Sequence, residues 1–171
     1  IKFMKGIYVS LAVVLLSCRS RETVELAMNE IQSIGSHNSY KQGIEEPLLK
    51  ILLAKDSGVT GLDYFHIPIK EQLDLGLRSL EIDVLHDPVG GRFKEPIGLA
   101  LLKEQGWDAL PYDTAGELSN AGLKTLHVPD IDFRSHCLTF IGCLREVKEW
   151  SSQHPDHLPI IITINPKESG L

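Results

Sequence analysis

Basic residues are in short supply: 17 Lys and Arg stand against 23 Asp and Glu, a formal net charge of −6. A nucleic-acid binder would show the opposite balance, so that class is excluded. The same deficit removes any strong overall attraction to anionic lipid, and a membrane-resident substrate would have to be captured locally. Aromatic residues make up only 6% of the chain. Internal repeats and low-complexity tracts are absent, which excludes a solenoid or a coiled array. What is present is ordinary for a folded protein: 43% hydrophobic and 23% charged residues in a chain of 171. That composition supports one domain with a real core and excludes global disorder.

A long apolar run is also missing. The longest, Ile7 to Leu16, follows Lys5 and precedes Ser17-Cys18. It is too short for a membrane span and has the layout of a secretory signal. Leu15-Leu16-Ser17-Cys18 resembles a bacterial lipobox, in which the cysteine is lipidated; a plain signal with a fortuitous cysteine is the alternative. Residues 1–18 are therefore expected to be a signal peptide and 19–30 a flexible mature N-terminus, with Met4 as the start. The expected product is exported: secreted, periplasmic or anchored to the cell envelope. Cysteine is scarce, with three in all. In an exported chain, Cys137 and Cys143 suggest a disulfide. Six residues of helix would hold them about 9 Å apart, so a bridge requires Cys137 to precede the helix start. Two buried thiols are the alternative.

Hydrophobic spacing gives a coarse element order. Ile31–Gly35 reads as a first strand with His37 just beyond its end. Residues 45–54 read as a helix with Pro47 in its first turn and Leu48, Leu49, Leu52 and Leu53 on one stripe. Lys55–Asp63 reads as a loop. Ile69–Leu75 reads as a short helix stopped by Gly76. Ser79–Leu85 is a second strand, 92–122 a long excursion, Lys124–Val128 a third strand, Cys137–Gln153 the clearest helix and Ile160–Ile164 a fourth strand. Strands separated by helices predict an α/β fold with a parallel sheet. Functional groups at strand C-termini fit a TIM-type (β/α)8 barrel. Four strands make only its first half, so the sequence reads as a fragment. Half a barrel leaves open sheet edges, and weak turnover by these residues alone is the expectation.

The residues with chemistry lie at those strand ends. Glu81 and Asp83 are two apart on a strand and point to one face, with Leu80, Ile82 and Val84 on the other. A barrel lumen would hold two such carboxylates only with a partner such as a metal. His37 sits in Ser36-His37-Asn38-Ser39-Tyr40, and His127 in Leu126-His127-Val128-Pro129-Asp130. Thr125 and His127 are expected to share a strand face. His66, His86, His136, His154 and His157 are read as ordinary surface or core histidines, Tyr40 as packing, and Asp63-Tyr64 as loop.

Together these strings resemble the phosphoinositide-specific phospholipase C superfamily, most closely its exported Ca2+-dependent branch. The resemblance runs from about Ile31 to Lys167. It rests on Gly35 to Tyr40, on Gln72-Leu73-Asp74 with Gly76 to Val84, and on His127 to Asp130. Cys137, Cys143-Leu144, Trp150, His154-Pro155, His157 and Pro159 continue it. It makes 31–171 the N-terminal part of a phospholipase C-like phosphodiesterase domain.

The resemblance implies His37 and His127 as the catalytic pair and Asn38, Glu81 and Asp83 as Ca2+ ligands, all offering oxygen to a hard cation. A further family ligand is a carboxylate on the fourth strand; Asn165 stands in its place, an oxygen donor without charge. Lys167 would hold the substrate phosphate. Arg78 is a second phosphate candidate, an ordinary surface arginine otherwise. The implied substrate is a phosphoinositide lipid at a membrane surface. The inositol 2-hydroxyl attacks first, giving diacylglycerol and an inositol cyclic phosphate. His127 is expected as general acid, while His37 takes the hydroxyl proton or bonds the phosphoryl oxygen.

Two rival readings remain open. A glycerophosphodiesterase or sphingomyelinase D-like enzyme would keep the barrel, but its usual His-Arg-Gly opening is replaced here by His37-Asn38. A non-catalytic surface lipoprotein would keep the barrel as a binding module; Asn165 favours it, and the intact histidine pair opposes it. Oligomeric state is not legible.

Overall fold

A computed structural model describes residues 27–168. The expected signal segment 1–18 and Cys18 lie outside the described residues, as does most of the expected flexible stretch 19–30. Residues 33–168 form one compact unit. Of the unit before it, the described part carries a single 3-10 turn, Met28–Glu30. Among the described residues no helix is long and apolar enough to cross a membrane.

The central strand is β2, Ser79–Asp87. It pairs in parallel with a short β1, Gly35–Ser36. It also pairs in parallel along seven positions with β4, Ile161–Lys167, from Ser79↔Ile161 to Leu85↔Lys167. The alternation in β2 does what its pattern dictates: Leu80, Ile82 and Val84 are buried with Ile69, Leu73, Val147 and Trp150. Those partners come from α2, Ile69–Asp74, and α4, Phe140–Gln153. The other face of β2 is left for Glu81 and Asp83.

Local chemistry sets the element ends. α1, Glu46–Lys55, begins with Pro47 in its first turn and buries Leu48 and Leu52. They pack with Leu102 of α3, Ile97–Glu104, and with Phe133. α2 closes on Gly76, whose φ of 96° is the left-handed conformation a side chain resists. There Leu77 N donates to Gln72 O and Gly76 N to Leu73 O, a Schellman stop. The chain then turns straight into β2. Thr139 caps α4, its Oγ1 accepting from Gly142 N at 3.2 Å. The helix starts after Cys137, and Cys137 is joined to Cys143 by a disulfide with a Cα–Cα distance of 5.2 Å.

The structure corrects several expectations. The stretch 55–63 is not open loop: Ser57–Leu62 is a 3-10 helix capped by Asp56, whose side chain accepts from Gly58 N. The first strand is only Gly35–Ser36, and Ile34 before it is exposed. The third strand, β3, is Gly122–Lys124 and runs antiparallel to the end of β2. Thr125–Val128 has left the sheet, so Thr125 and His127 do not share a strand face. The cause is the turn after Val128: Ile131 N and Asp132 N both donate to Val128 O, and Val128 N donates to Asp132 O. Pro129 has no N–H for a ladder. The excursion holds α3 and a 3-10 turn, Glu117–Ser119. The result is an α/β fold whose sheet is parallel except at β3.

Candidate active site

The Schellman stop at Gly76 sets the start of β2, and the parallel register with β1 sets His37 against it. Gly35 is the contact point. A Cβ there would lie 2.5 Å from Ser79 O, so only glycine permits this approach. Three residues on, Asn38 takes φ of 53°, and its N–H donates to Glu81 Oε2 at 3.1 Å. Ser39 N donates to Glu81 O at 2.9 Å. His37 is thereby turned outward, its Nε2 3.3 Å from Glu81 Oε2. His66 Nε2 donates to the His37 carbonyl at 2.7 Å.

Asp83 is fully buried. Tyr40 OH donates to its Oδ2 at 2.8 Å, Lys167 Nζ lies 2.5 Å from the same oxygen, and Asn165 Nδ2 donates to its Oδ1 at 2.7 Å. The Asp83↔Asn165 register of β2 and β4 dictates the last two contacts, because Asn165 and Lys167 share a strand face. Burial, and then the adjacent Asp83 charge, raise the pKa of Tyr40 far above the ordinary phenol value. Tyr40 is therefore a fixed donor. Asn38 completes the floor: its Nδ2 donates to Tyr64 OH at 2.6 Å, and Tyr40 OH reaches its Oδ1 at 3.5 Å. Burial also raises the Tyr64 pKa.

His127 approaches from the opposite side. The Val128–Asp132 turn folds Asp132 back so that His127 Nδ1 donates to Asp132 Oδ2 at 2.6 Å. That bond fixes the tautomer and leaves Nε2 as the ring atom for proton exchange. Asp132 is held in turn by Lys41 Nζ at 3.2 Å, and both side chains are fully buried. Lys41 also donates to Leu62 O and Tyr64 O and lies over the Tyr64 ring. The Tyr64 ring meets His127 edge-on at a centroid distance of 6.2 Å. Lys167 Nζ links the two sides, donating to His127 O at 3.1 Å while it contacts Asp83.

The structure thus brings together His37, Asn38, Glu81, Asp83, His127, Asn165 and Lys167. It does not bring Arg78 there. That residue precedes β2, its Nη1 donating to Leu73 O and Leu77 O and its guanidinium stacking over Trp150. Sequence reasoning passed over Asp132, Lys41, Tyr64 and His66, and gave Tyr40 only packing. The spacing of Asp132 after Val128-Pro129 was the one available signal, since a turn there carries it back to His127. Nothing local marks Lys41 or Tyr64.

Whether a cation suits this group can be tested on its donors. Among the described residues no group of three or more His, Cys, Asp and Glu is arranged to hold a metal ion. An oxygen site does not require such a group. Glu81 and Asp83 offer carboxylates from one strand face, and Asn38 offers an amide oxygen; Asn165 turns its NH2 to Asp83 and would ligate only after its amide turns over. Asp83 is a buried charge that demands a positive partner. The donor chemistry fits a hard divalent cation, with Lys167 Nζ in the position of positive charge beside Asp83.

A family model described as Phosphoinositide phospholipase C, Ca2+-dependent, matches residues 26–171. No curated protein and no solved structure matches the chain. The match spans all the residues of the cluster, and the chain belongs to the Ca2+-dependent phosphoinositide phospholipase C family.

Proposed function

We propose that this chain is part of an exported phosphoric diester hydrolase that cleaves phosphatidylinositol-type lipids to diacylglycerol and an inositol cyclic phosphate. The observation that carries the reading is the placement of two differently supported imidazoles around one buried carboxylate. His37 rests on Glu81 and His127 on Asp132, with Asp83 and Lys167 between them. His127, held through Nδ1, presents Nε2 to protonate the leaving diacylglycerol oxygen. His37, open to solvent on the Glu81 side, takes the proton of the attacking inositol hydroxyl. Lys167 binds a phosphate oxygen. Asn38, Glu81, Asp83 and Asn165 are the residues that would hold Ca2+, which when bound supplies positive charge to the phosphate and acidifies the nearby hydroxyl.

The parallel register of β1, β2 and β4 supports a TIM-type barrel, with His37 just beyond the end of β1 and Asn165 and Lys167 at the end of β4. Export is supported by the Lys5 and Ile7–Leu16 layout and by the Cys137–Cys143 bridge, which favours an oxidising compartment. Local capture of a lipid surface is supported by Phe65, 70% exposed between Tyr64 and His66. The test is turnover of phosphatidylinositol vesicles with and without Ca2+, with products read by 31P NMR. The expected product is inositol cyclic phosphate, and His37→Ala and His127→Ala each lower the rate by about 10²–10⁴-fold. A non-cyclic first product, or release of a headgroup without its phosphate, would move the chain to the glycerophosphodiesterase-like reading.

A further inference from the structure

We propose that Lys167 is an exchangeable counter-ion. It neutralises Asp83 when no metal is bound and is released to the substrate phosphate when a divalent cation arrives. The inference rests on the proposed reading of the site and adds to it a coupling between cation and phosphate binding. The observation behind it is that Asp83 has no room for a second positive group in the present arrangement. Its carboxylate is fully buried and already receives Lys167, Tyr40 and Asn165. A divalent ion shared by Asp83, Glu81 and Asn38 would stand beside an ammonium 2.5 Å from the same oxygen. Like charges at that range repel strongly in a low-dielectric site, so one must leave.

Lys167 is the group able to move. Its side chain is 28% exposed, while that of Asp83 is fully buried. Its second contact is a single carbonyl, that of His127 at 3.1 Å. Pivoting about that carbonyl would keep the ammonium next to the proposed general acid, where the bridging phosphate of a substrate has to lie. The site's buried lysine makes the contrast. Lys41 is fully buried and tied to Asp132, Leu62 O, Tyr64 O and the Tyr64 ring. Lys41 is a fixed member of the fold, and Lys167 is held by far less.

Exchange has two measurable consequences, and neither needs turnover. Removing the lysine charge removes a competitor, so Lys167→Met and Lys167→Gln should bind Ca2+ about tenfold more tightly than the parent by calorimetry, the scale of one charge-assisted hydrogen bond. The Gln variant keeps a neutral donor for Asp83 and serves if the Met variant does not fold. Both should also show a larger rise in melting temperature on adding Ca2+ than the parent does. In the parent, inorganic phosphate should bind more tightly with Ca2+ than with a chelator. By reciprocity the phosphate should tighten Ca2+ binding by the same factor, and this coupling should be smaller in both variants, which keep only the direct attraction between cation and phosphate. Unchanged or weaker Ca2+ binding by both variants would overturn the exchange and leave the site reading intact. No Ca2+ binding by any form, or undiminished binding in Asp83→Asn, would overturn the exchange and the reading of the metal ligands together.

Discussion

Two carboxylates, Asp83 and Asp132, are fully buried in the site, and each has a lysine beside it. Burying an ionised group without a partner is prohibitive, so the lysines are a condition of these acids being there. The two pairs differ in what else they touch. Asp132 also takes the His127 Nδ1 proton, and this gives it a positioning role. Asn in its place could turn its NH2 toward the ring and favour the other tautomer. Asp132→Asn should therefore lower kcat by at least about tenfold with little change in KM. In His127→Ala the same substitution should cost nothing further, because residues acting as a unit are not additive. Fully additive losses would mean that Asp132 and His127 act separately. The tie to Asp132 also explains why a chain poor in basic residues buries Lys41 completely.

At the scale of elements, the site depends on how closely two strands approach. Gly35 lies against Ser79 O and the Ser79 side chain, where a Cβ would come within 2.6 Å of both. Gly35→Ala must push β1 away from β2, and that displacement carries His37 away from Glu81. The expected cost is about 1–3 kcal/mol in denaturant unfolding, as for other overpacked contacts. The loss of kcat should be larger than in Gly76→Ala, where the left-handed backbone resists a side chain but a Cβ meets nothing within 4 Å. Equal activity in the two variants would detach strand spacing from catalysis. The same elements show what was legible beforehand. α1, α2, α4, β2 and β4 were readable because apolar periodicity and Pro or Gly punctuation agreed. The Glu81/Asp83 face followed from strand alternation. The 125–128 stretch misled because Thr125, Leu126, His127 and Val128 alternate like a strand while the backbone turns at Val128-Pro129. Ile31–Gly35 misled because apolar content suggested pairing that begins only at Gly35. The Lys41, Tyr64 and Asp132 contacts depend on closures between distant segments, which no local pattern encodes.

At the scale of the whole molecule, charge works against the proposed substrate. The chain carries −6, and phosphatidylinositol vesicles are negative as well. Lysines that might offset this are committed inside: Lys41 and Lys124 are fully buried, and Lys167 contacts Asp83. Approach is then opposed by long-range repulsion and rewarded only at short range, by exposed apolar groups such as Phe65 and by the site itself. Salt screens the first and barely touches the second. The Debye length falls from about 30 Å at 0.01 M to about 8 Å at 0.15 M ionic strength. Vesicle binding, read by co-sedimentation at fixed Ca2+, should therefore rise between those two concentrations. A protein docking through a basic patch gives the reverse, because salt weakens its attraction. A fall in binding across that range would mean that local positive charge outweighs the net charge, and would move the search for the lipid-facing surface from Phe65 to the exposed lysines and arginines.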